Sequence, residues 1–439
     1  MLIRARAIAA LRGVLDSPVA RDLLWLLDLL RTERPDPGAV ADVFGRLWEG
    51  LALGDEHLLP DAWQSHLVGR ILDDENPFSL GAEKGEMGPV VLEQARRDLC
   101  TLRELFALDA AKLLGMVESA VPELIGVWVR WTNPEPAEES PRQAIARKLS
   151  LAGDWGACAE LLTGHYARHG AGILGRYLAF RWSAGGLRAV PRPDPVRLGG
   201  LVGYEHEQEP LVRNTERFLS RLPAHHALLY GPPGTGKSST VKAILNEYAD
   251  AGLRLVEVAK EDLAALPRVL EALRGRGGRF VLFVDDLSFE EHEVEYKALK
   301  ALLEGSIEEP PENVRLYATS NRRNLIRESF SDREETLGDD VHARDTMQEK
   351  LSLAARFGLR ITFPAPDQRR YLEIVAGLAG ERGIRVPEEK LRERALLWDR
   401  WHAGRSGRTA RQFVDELEAE LCEPHRERKG FGLEQSPEP

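Results

Sequence analysis

Cysteine is scarce in this sequence, and long apolar runs are missing. The three cysteines, Cys100, Cys158 and Cys422, lie far apart in 439 residues and lack the spacing of metal ligands. We therefore expect reduced thiols in a cytoplasmic protein, with neither a disulfide nor a zinc site. No stretch approaches the ~20 apolar residues of a membrane span, so we expect no membrane association. The formal net charge of −11 argues against a surface that binds nucleic acid throughout.

The N-terminal part of the chain has the pattern of helices. Apolar residues recur at three- and four-residue spacing in ARDLLWLLDLL and RDLCTLRELFALDAAKLLGMV, and strand-like alternation is rare. We predict an all-α domain over residues 1–182, with a regulatory or partner-binding role. The Pro/Gly-rich run SAGGLRAVPRPDPVRLGG predicts a linker over residues 183–200, because neither residue type sustains a helix interior.

Beyond this linker, short apolar runs alternate with helical segments. The runs HALLY, LRLVEV, FVLFV, VRLYA and LRITF predict five strands at 226–230, 253–258, 280–284, 314–318 and 359–363. Continuous apolar strands that are separated by helices indicate a parallel sheet covered on both faces. We predict an α/β core over residues 201–365, a helical lid over 366–422 and a flexible tail over 423–439.

The first predicted strand runs directly into a glycine-rich loop. The sequence GPPGTGKSST matches the pattern G-x-x-x-x-G-K-[ST], in which glycines let backbone N–H groups approach phosphate oxygens. Lys237 can reach the β and γ phosphates of ATP, and the Ser238 hydroxyl can ligate Mg²⁺. The expected nucleotide-binding residues of this Walker A loop are Gly231, Pro232, Pro233, Gly234, Thr235, Gly236, Lys237, Ser238 and Ser239.

Two adjacent acids, Asp285 and Asp286, follow the strand FVLFV. Carboxylates in this place lie at the carboxyl edge of a parallel sheet, where ligands bind. We expect Asp285, the Walker B residue, to hold Mg²⁺, whereas Asp286 either polarises the attacking water or caps the next helix. Asn321 ends the strand in YATSN, and it either orients that water or closes a turn.

Taken in order, these motifs resemble those of AAA+ ATPases over residues of about 198–422. The segments LVGYEHEQEPLVRNTERFL, VEVAKEDL, VDDLSFE, ATSNRRNLI, EKLSLAARFGL and GRSGRTARQF resemble the bacterial AAA+ family known as domain of unknown function 815, and ENPFSLGAE fits its upstream region. The resemblance implies an ATP-binding core with a helical lid. It also implies that Asn321 is a sensor-1 residue and that Val202 and Gly203 contact the adenine.

The resemblance assigns roles to arginines as well. Arg356, just before the last strand, resembles an arginine finger that completes the site of a neighbouring subunit, and a solvated helix face is the alternative. Arg408 and Arg411 lie three residues apart on one helix face. One of them resembles the sensor-2 residue, and we favour Arg408. Many relatives carry glutamate where this chain has the shorter Asp286, so slow turnover is a competing expectation.

Two functions are compatible with this reading. In the first, the protein is an Mg²⁺-dependent ATPase that forms a homo-oligomer and remodels or loads a macromolecular partner. In the second, it is a nucleotide-gated binding module or switch with slow or absent hydrolysis.

The partner stays open between protein and nucleic acid. Residues 360–411 hold twelve Lys/Arg against seven Asp/Glu, which suits nucleic acid or an acidic neighbouring subunit, but solvated helix faces explain the excess equally well. The charged insertion at 322–350 is either a partner-sensing loop or a solvated connection.

Overall fold

The computed structural model of this chain describes residues 1–54, 56–133, 140–288, 298–300, 302–303, 310–321, 353–402 and 404–422. The charged insertion at 322–350 and the tail at 423–439 therefore lie outside the described residues. Among the helices within these ranges, none is both long and apolar enough to cross a bilayer.

The N-terminal region is helical, as its apolar periodicity predicts. Its α-helices are α1 (Leu2–Arg6), α2 (Pro18–Leu29), α3 (Pro37–Ala52), α4 (Ala62–Asp73), α5 (Pro77–Lys84), α6 (Pro89–Phe106), α7 (Ala110–Ala120), α8 (Pro141–Leu151), α9 (Ala159–His169) and α10 (Gly172–Arg176). They enclose one apolar core, in which Trp63, Trp155 and Tyr166 are completely buried.

Several of these helices begin with a polar cap that is followed directly by proline. The caps are Ser17, Asp36, Asn76 and Ser140, and each accepts a hydrogen bond from a backbone N–H of the first turn. Proline suits the first helical position because that residue has no intrahelical N–H bond to lose. The sequence itself therefore marks where these helices start.

A β-hairpin occupies residues that we assigned to the end of the helical domain and to the linker. Its strands, β1 (Ala179–Ser183) and β2 (Gly186–Val190), pair antiparallel with Ser183 opposite Gly186. The two turn residues have positive φ, 49° at Ala184 and 78° at Gly185, as a two-residue hairpin turn requires. This hairpin spans the predicted boundary at 182 and the first part of the predicted linker, and the glycines here form a turn between paired strands.

The remaining strands match the five predicted ones within two residues at each end. They are β3 (Ala227–Tyr230), β4 (Leu253–Glu257), β5 (Arg279–Val284), β6 (Val314–Ser320) and β7 (Leu359–Thr362). Together with the hairpin they form one seven-stranded sheet in the order β2-β1-β4-β5-β6-β3-β7, and every neighbouring pair except β1 and β2 is parallel. The predicted α/β class with a parallel sheet is confirmed, with two more strands than expected.

Helices cover both faces of the sheet and form the lid. They are α11 (Glu205–Leu219), α12 (Lys237–Tyr248), α13 (Leu266–Leu273), α14 (Gln368–Glu381), α15 (Glu388–Trp401) and α16 (Gly407–Cys422). Successive strand residues point to opposite faces, so Leu229 and Leu228 of β3 belong to different apolar clusters. The cluster with Leu229 also contains Tyr371 and Phe413 of the lid, which is therefore packed onto the core.

Arg254 of β4 joins the N-terminal helices to the sheet. Its buried guanidinium donates hydrogen bonds to the carbonyl oxygens of Leu174 in α10 (2.9 Å), Ala249 (3.1 Å) and Leu253 (2.9 Å). Burial, together with a smaller effect of the Arg142 charge, lowers the pKa of Arg254 to about 10. The hydrogen bonds replace the hydration that this side chain gives up.

Glu83 of α5 makes a second polar connection between the two regions. Its buried carboxylate accepts hydrogen bonds from Arg276 Nε (2.7 Å), from the Gly277 N–H (2.8 Å) and from the Ala171 N–H (2.6 Å). Removing the Glu83 carboxylate would leave these buried donors without a hydrogen-bond acceptor, which is energetically costly. The helical region and the sheet are thus held together by buried charge as well as by apolar packing.

We predict that Arg254→Leu lowers the free energy of unfolding by about 3 kcal/mol, because several buried carbonyl oxygens lose their donor. Urea unfolding followed by circular dichroism measures this change. The control is Arg181→Leu on neighbouring β1, which removes only an exposed ion pair to Glu257 and is expected to cost less than about 1 kcal/mol. Equal unfolding midpoints for Arg254→Leu and the parent protein would contradict the structural role of Arg254.

Candidate functional site

The loop between β3 and α12 depends on glycine at two positions. Gly231 has a φ of 152°, and a Cβ there would lie 1.9 Å from the carbonyl oxygen of Phe363. Gly234 has a φ of 78°, and a Cβ there would lie 3.0 Å from the Ser406 side chain. Glycine tolerates both the backbone conformation and the close approach. The loop backbone therefore lies directly between the end of β7 and the lid.

Lys237, the first residue of α12, points its ammonium group into this loop. Its Nζ donates hydrogen bonds to the carbonyl oxygens of Gly231 and Pro232, both at 2.8 Å, and to Asn321 Oδ1 at 3.0 Å. Burial lowers the pKa of Lys237, whereas Asp286 and Asp285 oppose this shift. Because the three acceptors carry no net charge, the positive charge of Lys237 is available to an anionic ligand.

Asp285 follows β5 and contacts the start of α12. Its Oδ1 accepts a hydrogen bond from Ser238 Oγ at 2.6 Å and another from the Thr319 hydroxyl of β6. Ser238 and Asp285, the two Mg²⁺ ligands predicted from the sequence, are therefore hydrogen-bonded to each other. Hydroxyl and carboxylate oxygens are the hard donors that Mg²⁺ takes, usually together with phosphate oxygens and water.

Asp286 lies beside this pair in an uncommon backbone conformation. Its φ is 49°, and its N–H donates to Thr319 Oγ1 at 2.9 Å. Its carboxylate accepts a hydrogen bond from Asn321 Nδ2 at 2.6 Å. Asn321 thus contacts both Lys237, the expected phosphate-binding residue, and Asp286, the expected water-binding residue. The alternative role of Asp286 as a helix cap depends on residues 289–297, which lie outside the described residues.

A cavity of about 470 Å³ lies between this loop and the lid, within the usual size range of small-ligand sites. Arg408 and Arg411 of α16 both line it, so the structure does not choose between them as the sensor-2 candidate. The Gly407 N–H donates to the Gly234 carbonyl oxygen at 2.8 Å, which holds the start of α16 against the loop. Arg408 and Arg411 therefore border the same cavity as Lys237.

The two expected adenine contacts are placed differently. Val202 lines the cavity together with Leu201, Ile374 and Leu378, which provide an apolar end suited to a base. Gly203 does not line the cavity. Its φ is 87° and its N–H donates to Glu205 Oε1 at 2.8 Å, so this glycine shapes the turn before α11.

Arg356 is not brought into this cavity. It lies three residues before β7, at the amino end of that strand, whereas the cavity lies at the carboxyl ends of β3, β5 and β6. Among the residues that the structure describes, Arg356 is therefore not part of the lining of this cavity.

Thr319 is the main site residue that the sequence analysis missed. Its hydroxyl lies between the two acids, donating to Asp285 and accepting from the Asp286 N–H, and the side chain is 1% exposed. A signal was available, because Thr319 lies two positions before Asn321, the residue that directly follows β6, and alternate residues along a strand share one side of the sheet. Polar residues at alternate positions of an otherwise apolar strand end indicate a site.

Comparison with known proteins gives one family match and several shorter matches to curated proteins. The profile of the family described as "Protein of unknown function (DUF815)" matches residues 175–421. Replication factor C large subunit of Thermofilum pendens is 32% identical over 124 residues, which is 26% of this chain and 29% of that protein. Proteasome-activating nucleotidase of Saccharolobus solfataricus is 26% identical over 164 residues, which is 32% of this chain and 42% of that protein. The matched regions thus span less than half the length of these relatives.

Among solved structures, the RuvB Holliday junction branch migration motor of Thermotoga maritima is similar over 52% of this chain and 65% of that chain. Its sequence identity to this chain is 20% and the TM-score is 0.35.

We predict that Thr319→Val folds but binds MgATP about tenfold more weakly, with little change in the affinity for metal-free ATP. Valine preserves the buried shape on β6, while Asp285 loses the hydroxyl that holds it beside Ser238. Titration of a fluorescent ATP analogue with and without Mg²⁺ measures the two affinities. Thr362→Val on β7, which removes a hydroxyl that donates to Tyr230 Oη, is the control and is expected to bind like the parent. An unchanged effect of Mg²⁺ in Thr319→Val would contradict this role.

Proposed function

Because the chain belongs to the DUF815 family and carries the AAA+ arrangement of sheet, loop and lid, we propose that it is an Mg²⁺-dependent ATPase that assembles as a homo-oligomer and remodels or loads a macromolecular partner. One observation carries the proposal. Lys237, the Ser238–Asp285 pair and the Asp286–Asn321 pair converge at one end of a cavity whose roof holds two lid arginines. Cationic, metal-binding and water-handling groups are thus present within one site.

In this proposal ATP lies with its phosphates on the glycine loop and its base toward Val202. Lys237 exchanges its uncharged acceptors for phosphate oxygens, which gives stronger, charge-assisted hydrogen bonds. Ser238 and Asp285 hold Mg²⁺, which when bound withdraws electron density from the phosphate oxygens. Arg408 or Arg411 reaches the phosphates from the lid, so that lid closure excludes water from the site.

Asp286 handles the attacking water in this mechanism. Its carboxylate is aligned by Asn321, and its unusual backbone conformation is held by the Thr319 hydroxyl. Asn321 also accepts a hydrogen bond from Lys237. When phosphate binds to the lysine, this hydrogen bond changes, and the Asn321 side chain then changes the position of Asp286. Asp286 thereby accepts a proton from water only when the phosphates are in place.

Arg356 acts on a neighbouring subunit in this proposal. Its position away from the cavity of its own chain supports a role in trans, and a guanidinium suits the charge that develops on the transferred phosphoryl group. The matched relatives include a replication factor and a proteasome-activating nucleotidase, whose names point to work on DNA replication and on the proteasome respectively. The partner of this chain is accordingly a macromolecule, and the ATPase drives its loading or rearrangement.

A second candidate is a nucleotide-gated switch with slow or absent hydrolysis. Asp286 is one methylene shorter than glutamate, and in this structure its carboxylate is bonded to Asn321. Steady-state phosphate release, measured with and without DNA, separates the two candidates. Turnover supports the ATPase, whereas tight ATP binding without turnover under either condition supports the switch.

We predict that Asp285→Asn and Asp286→Asn fail differently. Asp286→Asn is expected to bind MgATP normally and to lose turnover by about 10²-fold or more, because it removes the proton acceptor. Asp285→Asn is expected to lose the contribution of Mg²⁺ to ATP affinity, because it removes a metal ligand. Calorimetry and phosphate release on both variants measure the two effects. Parent turnover in both variants would exclude the assigned roles.

We also predict that two inactive variants regain activity when they are mixed. Arg356→Ala is expected to bind ATP but hydrolyse it slowly, since an arginine supplied in trans contributes ~10³ to 10⁵ in rate. Lys237→Ala is expected to lose ATP binding while its Arg356 remains intact. In a mixed oligomer, intact arginines meet intact pockets, so phosphate release should exceed the sum of the separate variants.

The mixing experiment needs two controls. Gel filtration of subunits with differently sized tags establishes that mixed oligomers form. Arg360→Ala changes an exposed arginine of β7, four residues after Arg356, and should leave turnover unchanged. Mixed oligomers without additional activity would contradict the trans role of Arg356. Full activity of a strictly monomeric ATP-bound protein would contradict the oligomeric mechanism.

A further inference from the structure

A second cavity, which we call the junction cleft, lies where the N-terminal helices meet the amino edge of the sheet. Its volume is about 630 Å³. Six basic residues line it: Lys84, Arg168, Arg221, Arg274, Arg276 and Arg279. The carboxylates of the lining are Glu83 and Glu312. This concentration of positive charge contrasts with the formal net charge of −11 for the whole chain.

Most of these basic groups are not neutralised by carboxylates. Arg276 is paired with Glu83 and Glu75, and Arg274 is paired with Glu271. Within the part of the chain that the structure describes, Lys84, Arg168, Arg221 and Arg279 make no ion pair. By contrast, several cations of the basic lid segment are paired: Arg369, Arg370, Arg382, Arg394 and Arg405. The excess positive charge at the junction cleft is therefore not a general property of the surface.

Arg279 is held in place although, among the described residues, it forms no ion pair. Its guanidinium donates to the Glu312 carbonyl oxygen at 3.0 Å and lies 5.3 Å from the centre of the Phe218 ring, while Arg315 lies 5.1 Å from the same ring. Burial lowers the pKa of Arg279, and the charges of Arg221 and Arg315 lower it further. Several positive charges are thus kept close together, an arrangement that an anion would stabilise.

We propose that the junction cleft is a second anion site, which binds a compact small molecule carrying two or more phosphate groups. The cations come from four separate segments around a concave space whose volume is within the ~300–1,000 Å³ of small-ligand sites. Within the described lining there is no aromatic side chain, whereas sites for single-stranded nucleic acid use aromatic rings to stack the bases. Recognition through phosphates therefore fits better than recognition of bases.

The position of the cleft gives such a ligand a structural effect. Lys84 and Arg168 belong to α5 and α9, whereas Arg221 follows α11 and Arg279 begins β5. A bound polyphosphate would bridge the helical region and the core. The opposite end of β5 leads to Asp285, roughly 20 Å away at the ~3.3 Å rise per strand residue. The ligand would thus bind at the amino end of β5, whereas the proposed ATP site lies at the carboxyl end of the same strand.

The test uses the Lys237→Ala protein, in which the ATP site has lost its main cation, and titrates it with inorganic tripolyphosphate by calorimetry. One saturable site is expected. Arg168→Gln together with Arg221→Gln should weaken binding about tenfold or more, because two phosphate contacts are lost. Both side chains are exposed and make no hydrogen bond or ion pair among the described residues, so folding should be unaffected.

The matched control is Arg188→Gln together with Arg385→Gln, which removes the same charge from exposed positions elsewhere and should leave the affinity unchanged. Lys84→Gln, a single change at an exposed lining residue, should also weaken binding, and it replaces the double variant in the test if that variant does not fold.

Equal affinities in cleft and control variants, or no saturable binding, would overturn the proposal. A DNA oligonucleotide that binds through the same arginines while tripolyphosphate does not would replace it with a nucleic-acid site. None of these outcomes depends on whether the protein hydrolyses ATP.

Discussion

Backbone hydrogen bonds between the parallel strands β5, β6 and β3 bring together side chains that are far apart in the chain. Lys237 and Asn321 are separated by 84 positions, and Ser238 and Asp285 by 47, yet both pairs are hydrogen-bonded. The ladder places Ala318 opposite Val284 of β5 and Leu228 of β3. A slip of one residue would turn Thr319 to the other face of the sheet and separate the two acids from their support. The register of these strands is therefore the constraint on which the whole site depends.

The two edges of the sheet carry different chemistry. At the carboxyl edge, the glycine loop, the paired acids and the lid surround a cavity that suits a nucleotide and Mg²⁺. At the amino edge, buried groups such as Arg254 and Glu83 hold the helical region, and basic side chains line the junction cleft. Strands β4 and β5 run from one edge to the other, so the carboxyl-edge cavity and the contacts with the helical region share the same strands. This arrangement is compatible with the proposed function, in which ATP controls how the helical region engages a partner.

Much of the core was predictable because its signals are local. The five parallel strands are continuous apolar runs bounded by turn residues, and the loop GPPGTGKSST has the spacing that is typical of a phosphate-binding loop. The hairpin at 179–190 was missed, because Gly-Gly before a proline-rich stretch reads equally well as a break between domains. Its role appears only when β1 pairs with β4, a strand more than 70 positions later, with Ala179 opposite Leu255. Thr319 was missed for a related reason, since its hydroxyl acts on residues of another strand.

The sequence by itself determined which residue types stand at each strand end: the lysine and serine that begin α12, the two acids after β5 and the asparagine after β6. Only the tertiary structure decided which of these side chains touch. It placed Ser238 against Asp285 and Asn321 between Lys237 and Asp286. In the tertiary structure, Arg408 and Arg411 both line the cavity, whereas Gly203 does not. Arg356 lies near the amino end of β7, at the opposite edge of the sheet. The physical reason is that propensity and spacing act over a few residues, whereas these contacts arise from strand order and lid packing across the whole core.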